Sequence, residues 1–539
     1  MAALSRETHR QYISSSKALG FLILLISWVI LVWNIGGPSY SVDEFVNVEI
    51  DRGNLPTILA ALNAGTDLHP PLSHLLMAAW IQIFGEREGV VRLLPAMFSW
   101  LSLSLLWQLT RSALNANRSW LAVVLLALTP TYLLYTRFEK YYALTIFFYL
   151  LLLFCTRAWW HKPTRQRLII VGCVTVILLY TDYFASLFAS VAIGLLLILG
   201  MLVRPQKVQN HYFGAWLLIQ IGAAAIYLPW LNILYKQASA LTGSNTDIGG
   251  SISSFILKLA VTGLSFSIGE TLYPWHILGV VGICATLVLA IAGLLSFRHH
   301  KGYVTMLLTC LLSAVVGGAL LSTVVLKGVP FAAFPNHVLF ALPLVIGLLA
   351  VGAWNLPKLA RAVILTAWGI ASLAGQFNYH TGQEFLNPIY AVPTREIAYD
   401  ICQQASTDAV VLAQSDTGIP FYLARLVDAP PSLSPNIVIT STKQPSEVWL
   451  FAFGRDRTRD MSDMDTLARE WLINHQYKLL SSRSFVPTDP FYANLKSNLI
   501  ERDAYSAKAV LEQWQQPDRV QHTSTYHACT LSSQGKPLR

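Results

Sequence analysis

Apolar residues in this chain come in long unbroken runs, not in the alternation of half-buried strands or the one-sided stripe of surface helices. Crossing ~30 Å of hydrocarbon takes roughly 20 apolar residues. Eleven runs meet or approach that length: 18–36, 90–110, 119–135, 141–156, 168–183, 184–203, 212–230, 276–297, 303–326, 338–355 and 361–377. The pattern predicts a polytopic α-helical membrane protein with about 11 transmembrane helices. Only "YTDYFAS" separates the fifth run from the sixth. A twelfth apolar stretch, in "DLHPPLSHLLMAAWIQIFG" (67–85), is too short to span. Pro70 and Pro71 can open a helix there, and its length suits a helix lying along the interface.

Past residue 377 the pattern changes. "AVVLAQSD" and "SEVWLFAFG" read as buried strands, "TREIAYDICQQA" and "MDTLAREWLINH" as amphipathic helices. Alternating strands and helices predict a small α/β layer. The expected organisation is an N-terminal segment 1–17, a membrane core 18–377 whose first large loop is 37–89, and a separate α/β domain 378–539.

Charge fixes an expected orientation. With the N-terminus in the cytoplasm, the short cytoplasmic loops hold 15 Lys and Arg and the opposite loops hold 7, the bias of the positive-inside rule. The formal net charge of +9 is then mostly a topology signal, and a nucleic-acid partner is not expected. The α/β domain falls outside the cytoplasm. The 54% hydrophobic and 12% charged composition, with a mean hydropathy of +0.49, excludes a soluble globular protein, where about 25% of residues are charged. The six cysteines show no metal-ligand spacing. Cys402 and Cys529 both lie in the outer domain, where a disulfide is allowed.

Candidate chemistry gathers on the outer side. "SYSVDEFVNVEI" (39–50) puts Asp43 and Glu44 shortly after the first membrane run. Residues 67–85 carry His69, and "FGEREGVVRLLPAMF" (84–98) sets Arg92 at the mouth of the second span. "TRFEKYYAL" (136–144) packs Arg137, Glu139, Lys140, Tyr141 and Tyr142 into one short loop. Asp182 stands at the outer end of the fifth span. Lys327 and His337 stand at that of the tenth. Charges at membrane depth usually face a cavity or a partner. A carboxylate can take the proton of a hydroxyl acceptor, and arginine forks can hold a phosphate. Plainer readings exist: a solvated flank for Asp43 and Glu44, snorkelling or interfacial anchoring for Arg92, Arg137 and Lys140, and capping or pairing for His69, Glu139 and Asp182.

Seven segments in order resemble the GT-C glycosyltransferases of the protein O-mannosyltransferase (dolichyl-phosphate-mannose-protein mannosyltransferase) and aminoarabinose-transferase type. "VDE" follows the first helix as the family's acidic motif does. "HPPLSHLLMAAWIQIFG" is similar to its HPPLYYLLL-type helix, and "VVRLLPAMF" to its RLPSA-type segment. "TRFEKYYAL", "LLYTDYFA", "FPNHVLFALPLVIGLLA" and "VPTREIAYDICQQASTDAVVL" continue the series. The resemblance covers residues 18 to about 425. It implies an inverting transfer of a sugar from a polyprenyl-phosphate donor to a hydroxyl or phosphate acceptor on the external face. It further implies Asp43 as catalytic base, Glu44 as its partner, and Arg92, Arg137 and Lys140 near the donor phosphate. His69, Glu139, Tyr142, Asp182 and His337 become candidate substrate contacts. "NHV" stands where RYL is usual, so that arginine's role is lost or moves to His337 or Lys327, and "TDYF" puts Asp182 where His is common. A divalent metal ion is compatible with this chemistry, but no ligand cluster in the sequence requires one. The competing reading is a transporter or flippase of a lipid-linked sugar, which predicts internal repeats that the sequence lacks.

Overall fold

The computed structural model describes residues 18–203, 210–242, 252–321, 335–406, 408–414, 417–427, 429–433, 445–453, 459–485 and 509–516. Lys327 and Cys529 lie outside the described residues. Among those described, eight helices are long and apolar enough to cross a membrane: Glu88–Thr110, Tyr142–His161, Tyr183–Leu202, Tyr212–Gln237, Ile277–Arg298, Lys301–Leu320, Pro335–Asn355 and Lys358–Thr381. A ninth span is a bent pair, Ala116–Leu128 and Pro130–Thr136, with 63° between its halves. Each of the eleven predicted runs is helical over its described residues. The two beyond nine are shorter, Ala18–Val32 and Arg165–Leu179. The chain is a multi-pass membrane protein. Its outer helix faces carry exposed Leu218, Ile221, Leu287 and Ile291, as surfaces facing lipid do.

Local chemistry sets where helices start and turn. Asn54, Asn115 and Thr164 each cap a helix by accepting the backbone N–H of the residue three on. Pro130 opens the second half of the bent span, where its missing N–H costs nothing. Its ring packs between two glycines. A Cβ added at Gly269 or Gly375 would lie 2.7 Å from Pro130 carbons. Gly269 also has φ +86°, which favours glycine. Helices Ile277–Leu295 and Leu342–Asn355 approach through Gly293 and Gly352. A Cβ at Gly352 would sit 1.9 Å from the Leu289 carbonyl oxygen. Small residues let membrane helices approach this closely.

The chain divides into two compact units, Met1–Ile35 with Asn47–Tyr379, and Gly36–Val46 with His380–Arg539. The first holds the membrane helices and three shorter helices between the first two membrane runs, Val42–Asp51 (in part), Leu55–Asn63 and Leu72–Phe84. The 13-residue Leu72–Phe84 is the short helix expected along the interface.

The second unit is built on a mixed five-stranded sheet. Its strands are β1 (Val410–Ala413), β2 (Ser432–Leu433), β3 (Glu447–Phe453), β4 (Lys478–Phe485) and β5 (Ala509–Gln515), in the order β2-β1-β3-β5-β4. β1 runs parallel to β2 and β3, with Leu412 opposite Leu450. β5 runs antiparallel to β3 and β4. Helix Arg459–Asn474 lays Ala468 and Leu472 on a core of Leu412, Val448, Leu450, Tyr477 and Trp514. The strands expected in "AVVLAQSD" and "SEVWLFAFG" are β1 and β3, and both expected helices form. Cys402 is disulfide-bonded.

Candidate functional site

In the first unit, five ionisable residues from three segments form a continuous polar cluster. Asp51 ends the helix Val42–Asp51, Asp67 and His69 lie in the turn before Pro70, and His74 is in the first turn of Leu72–Phe84. Lys140 comes from the short loop before Tyr142. His74 Nδ1 lies 2.8 Å from Asp51 Oδ1, and its Nε2 lies 3.9 Å from Asp67 Oδ1. Asp67 also accepts the backbone N–H of His69 at 2.9 Å and pairs with the His69 ring. Lys140 Nζ donates to its other oxygen at 3.1 Å. The turn that carries Asp67 is tied down from behind. Gln237 Nε2 donates to the backbone carbonyls of Leu62 and Asp67, and Tyr183 donates its O–H to Gln237.

Burial makes these partners decisive, because an unpaired charge in a low-dielectric site is costly. Burial alone would raise the Asp67 carboxyl, but the charges of His69 and Lys140 outweigh it and hold it well below the usual range. Burial would lower His74, yet hydrogen bonds and charges from Asp51 and Asp67 push it up to about 9. Asp51 is raised by burial, against the opposing pull of His74 and a hydrogen bond with Glu139. A proton is thus held between Asp51 and His74.

An aromatic wall adjoins the cluster. The His69 and Tyr141 rings have centroids 4.1 Å apart, and the Tyr141 and Tyr142 rings are tilted at 57° with centroids 4.7 Å apart. The Tyr141 hydroxyl meets His337 Nδ1 at 3.1 Å, and Asn336 Nδ2 donates to the Tyr142 hydroxyl. The structure therefore brings together His69, Lys140, Tyr142 and His337 from three separate stretches of sequence. Asp182 has a capping role: its carboxylate accepts the N–H groups of Phe184 and Ala185 at the start of the next helix and a 3.4 Å contact from Thr145. Burial raises its carboxyl.

Arg92 and Arg137 are both buried and both hold the end of the first membrane helix. Arg92 donates to the Ile35 carbonyl at 3.2 Å and Arg137 to that of Trp33 at 3.0 Å. Arg137 also lies over the Tyr379 ring. Carbonyls at a helix C-terminus favour such cations. Glu139 is buried beside Asp51, and its backbone carbonyl accepts from Asn47.

Asp43 and Glu44 belong to the second unit. They fall in the first turn of Val42–Asp51. Glu44 is fully buried, and its carboxylate accepts the Ser41 N–H at 2.9 Å while its own N–H donates to the Ser41 carbonyl. This is one half of a capping box: the Glu44 carboxylate reaches back to the Ser41 N–H, while the Glu44 N–H goes to the Ser41 carbonyl and not to its hydroxyl. Asp43, half-buried, stands next to it.

Sequence reading did not single out Asp51, Asp67 and His74. The one available signal was the second histidine of "HPPLSH", five residues after His69. Among the described residues, no group of three or more His, Cys, Asp or Glu side chains is arranged to hold a metal ion.

Residues 68–233 match the model of the dolichyl-phosphate-mannose-protein mannosyltransferase family. That segment contains His69, His74, Arg92, the loop 137–142 and Asp182. No curated protein sequence matches the chain. Among solved structures, the chain is similar to ArnT from Cupriavidus metallidurans in the apo state. The two are 11% identical with a TM-score of 0.54, covering 93% of this chain and 98% of that one. The same enzyme bound to undecaprenyl phosphate gives 0.51 at the same identity and coverage. The archaeal oligosaccharyltransferase AglB from Archaeoglobus fulgidus, in complex with an inhibitory peptide and a dolichol-phosphate, gives 0.50 at 11% identity, covering 93% and 88%. The chain shares the membrane fold of these structures.

Proposed function

We propose that this chain is a GT-C glycosyltransferase that moves a sugar from a polyprenyl-phosphate donor to a hydroxyl or phosphate acceptor, with inversion at the anomeric carbon. The observation that carries this reading is the Asp51–His74–Asp67–His69–Lys140 cluster, whose His69, His74 and Lys140 lie inside the matched segment 68–233. Structures similar to this chain hold undecaprenyl phosphate or dolichol-phosphate, which supports a donor of the same class. In the proposed reaction Asp43 accepts the proton of the acceptor hydroxyl as the new C1–O bond forms. The C1–O bond to phosphate breaks, and polyprenyl phosphate leaves as an anion. Lys140 is the cation proposed for that anion. Arg92 and Arg137, tied to the Trp33 and Ile35 carbonyls, fit a supporting role for the first helix better than a direct phosphate contact.

The excess of Lys and Arg in the loops on the N-terminal side supports a cytoplasmic N-terminus, and with it a loop carrying Asp43 on the outer face of a plasma membrane. Outside the cell nucleotide sugars are absent, and a lipid phosphate supplies the leaving group. The test is transfer by purified protein in nanodiscs, offered a panel of polyprenyl-phosphate sugars beside Asp43→Asn. Release of polyprenyl phosphate by wild type and its loss in the variant is the expected result. Transbilayer movement of the labelled lipid without release would replace this reading with a flippase.

A further inference from the structure

The segment that carries Asp43 is strapped down from within its own unit by a pair of residues far along the chain. Arg395 Nη2 donates to the Gly37 carbonyl at 2.7 Å and Nη1 to that of Gly36 at 3.2 Å. The next anchor is Ser39. Helix Thr394–Gln404 has no side-chain cap of its own at Pro393. Ser39 Oγ takes that place, accepting the Arg395 backbone N–H at 3.1 Å and donating its proton to Glu396 Oε2 at 2.8 Å. One hydroxyl thus satisfies an orphan helix N–H and ties the loop to an acid in the same turn. Glu396 Oε1 in turn accepts from Arg395 Nη2 at 2.7 Å.

The anchoring continues up to the acid pair. The Tyr40 N–H donates to the Tyr422 hydroxyl at 2.7 Å. The Phe421 ring packs against both Tyr40 and Phe45, with centroids 5.9 and 5.4 Å away. The Ser41 N–H is held by Glu44. Backbone groups of residues 36, 37, 40 and 41 and the Ser39 hydroxyl are therefore all fixed. Asp43 follows two residues later, on a helix whose start is set by them.

We infer that Arg395 and Ser39, with Glu396, are positioning residues that hold the Asp43 carboxylate at the angle the transfer requires. This rests on the function proposed above. The ion pair itself is not the point, since Glu396 is half exposed and exposed pairs contribute little. What matters is that the guanidinium fork and one hydroxyl fix three backbone positions. Lysine would keep the charge and lose the fork.

The experiment pairs two readouts on full-length protein in nanodiscs: hydrogen exchange of the peptide 36–46, and kcat and KM for the polyprenyl-phosphate sugar that wild type turns over. Arg395→Ala should speed exchange in 36–46 and lower kcat about 10- to 100-fold, the scale of a small misplacement of a reacting group, with KM changed less than about twofold. Arg395→Lys should fall between. Ser39→Ala, which removes a single oxygen and leaves the packing in place, keeps the test open if Arg395→Ala does not fold. It should lower kcat in wild type and much less in the Arg395→Lys background. Unchanged exchange, or faster exchange with unchanged kcat, overturns the positioning role. A rise in KM alone overturns it too, in favour of substrate contact. If wild type releases no polyprenyl phosphate from any donor, the transfer reading itself falls and this role falls with it.

Discussion

Lys140 Nζ lies 3.1 Å from Asp67 Oδ2, and the two side chains are 8% and 4% exposed. Removing one partner of a buried pair leaves the other charge uncompensated, which costs about 3–5 kcal/mol. His69 shares Asp67, so Lys140→Met should destabilise by about 2–3 kcal/mol, below that range. Pairing it with Asp67→Asn should recover much of the loss. Thermal unfolding of both variants in detergent checks the order.

Stability should also fall on the alkaline side at a defined place. His74 has a folded pKa of about 9 against an ordinary 6.5. Its contribution is full below 6.5 and disappears as pH rises through about 9. Asp67 is depressed, so its contribution is present above 3.8 and lost as pH falls toward its lowered value. Asp51, Glu139, His69 and Lys140 all face this pair and set its charge balance. A melting-temperature profile should decline near pH 9 in wild type, and His74→Gln should flatten that decline.

Asp43→Asn should keep the fold and lower kcat about 10²- to 10⁴-fold, the usual contribution of a general base. Single-turnover release of polyprenyl phosphate measures it. An unchanged melting temperature would separate this chemical loss from unfolding.

Glu44 should behave differently. Glu44→Gln can still accept the Ser41 N–H, whereas Glu44→Ala cannot. Loss of a cap costs about 0.5–2 kcal/mol, so only the alanine variant should melt earlier. A circular-dichroism melt distinguishes them.

A methyl group at Gly352 would collide with the Leu289 carbonyl at 1.9 Å. Backbone cannot yield as a side-chain tip does, and overpacking costs about 1–3 kcal/mol or more. Gly352→Ala should lower the yield of monodisperse protein in size-exclusion chromatography, while Gly369→Ala, which meets open space, should not.

The membrane helices were legible because a bilayer imposes length and polarity directly on the sequence. The short helix Leu72–Phe84 was legible for the same reason, being too brief to cross. The cluster was not. Asp51 and His74 are 23 residues apart, on two helices whose mutual packing no local pattern encodes. Each acid there looked like one more charge in an acidic loop. For the arginines, depth was legible but packing was not. Arg92 and Arg137 sit at span mouths, as phosphate ligands would, yet both donate to carbonyls of the Trp33–Ile35 turn. Position along the chain gave their depth and not their partners. In the second unit, β5 pairs on both sides through residues 509–515, and its short alternation was too weak to stand out. The strap from Arg395 to Gly37 joins residues 358 apart, a distance over which only the folded chain speaks.

Pro130 lies wedged between Gly269 and Gly375 at the bend of its span. Three codons from three distant stretches therefore share one fate. At Gly375 a side chain larger than hydrogen is tolerable only once the ring between them has gone; at Gly269, whose φ is +86°, it is strained even then, and without the ring the bend loses its cause. Descendants of this sequence should alter the trio together or leave it alone. A laboratory drift experiment that accepts single changes elsewhere should find these sites silent until a compensating second change arrives.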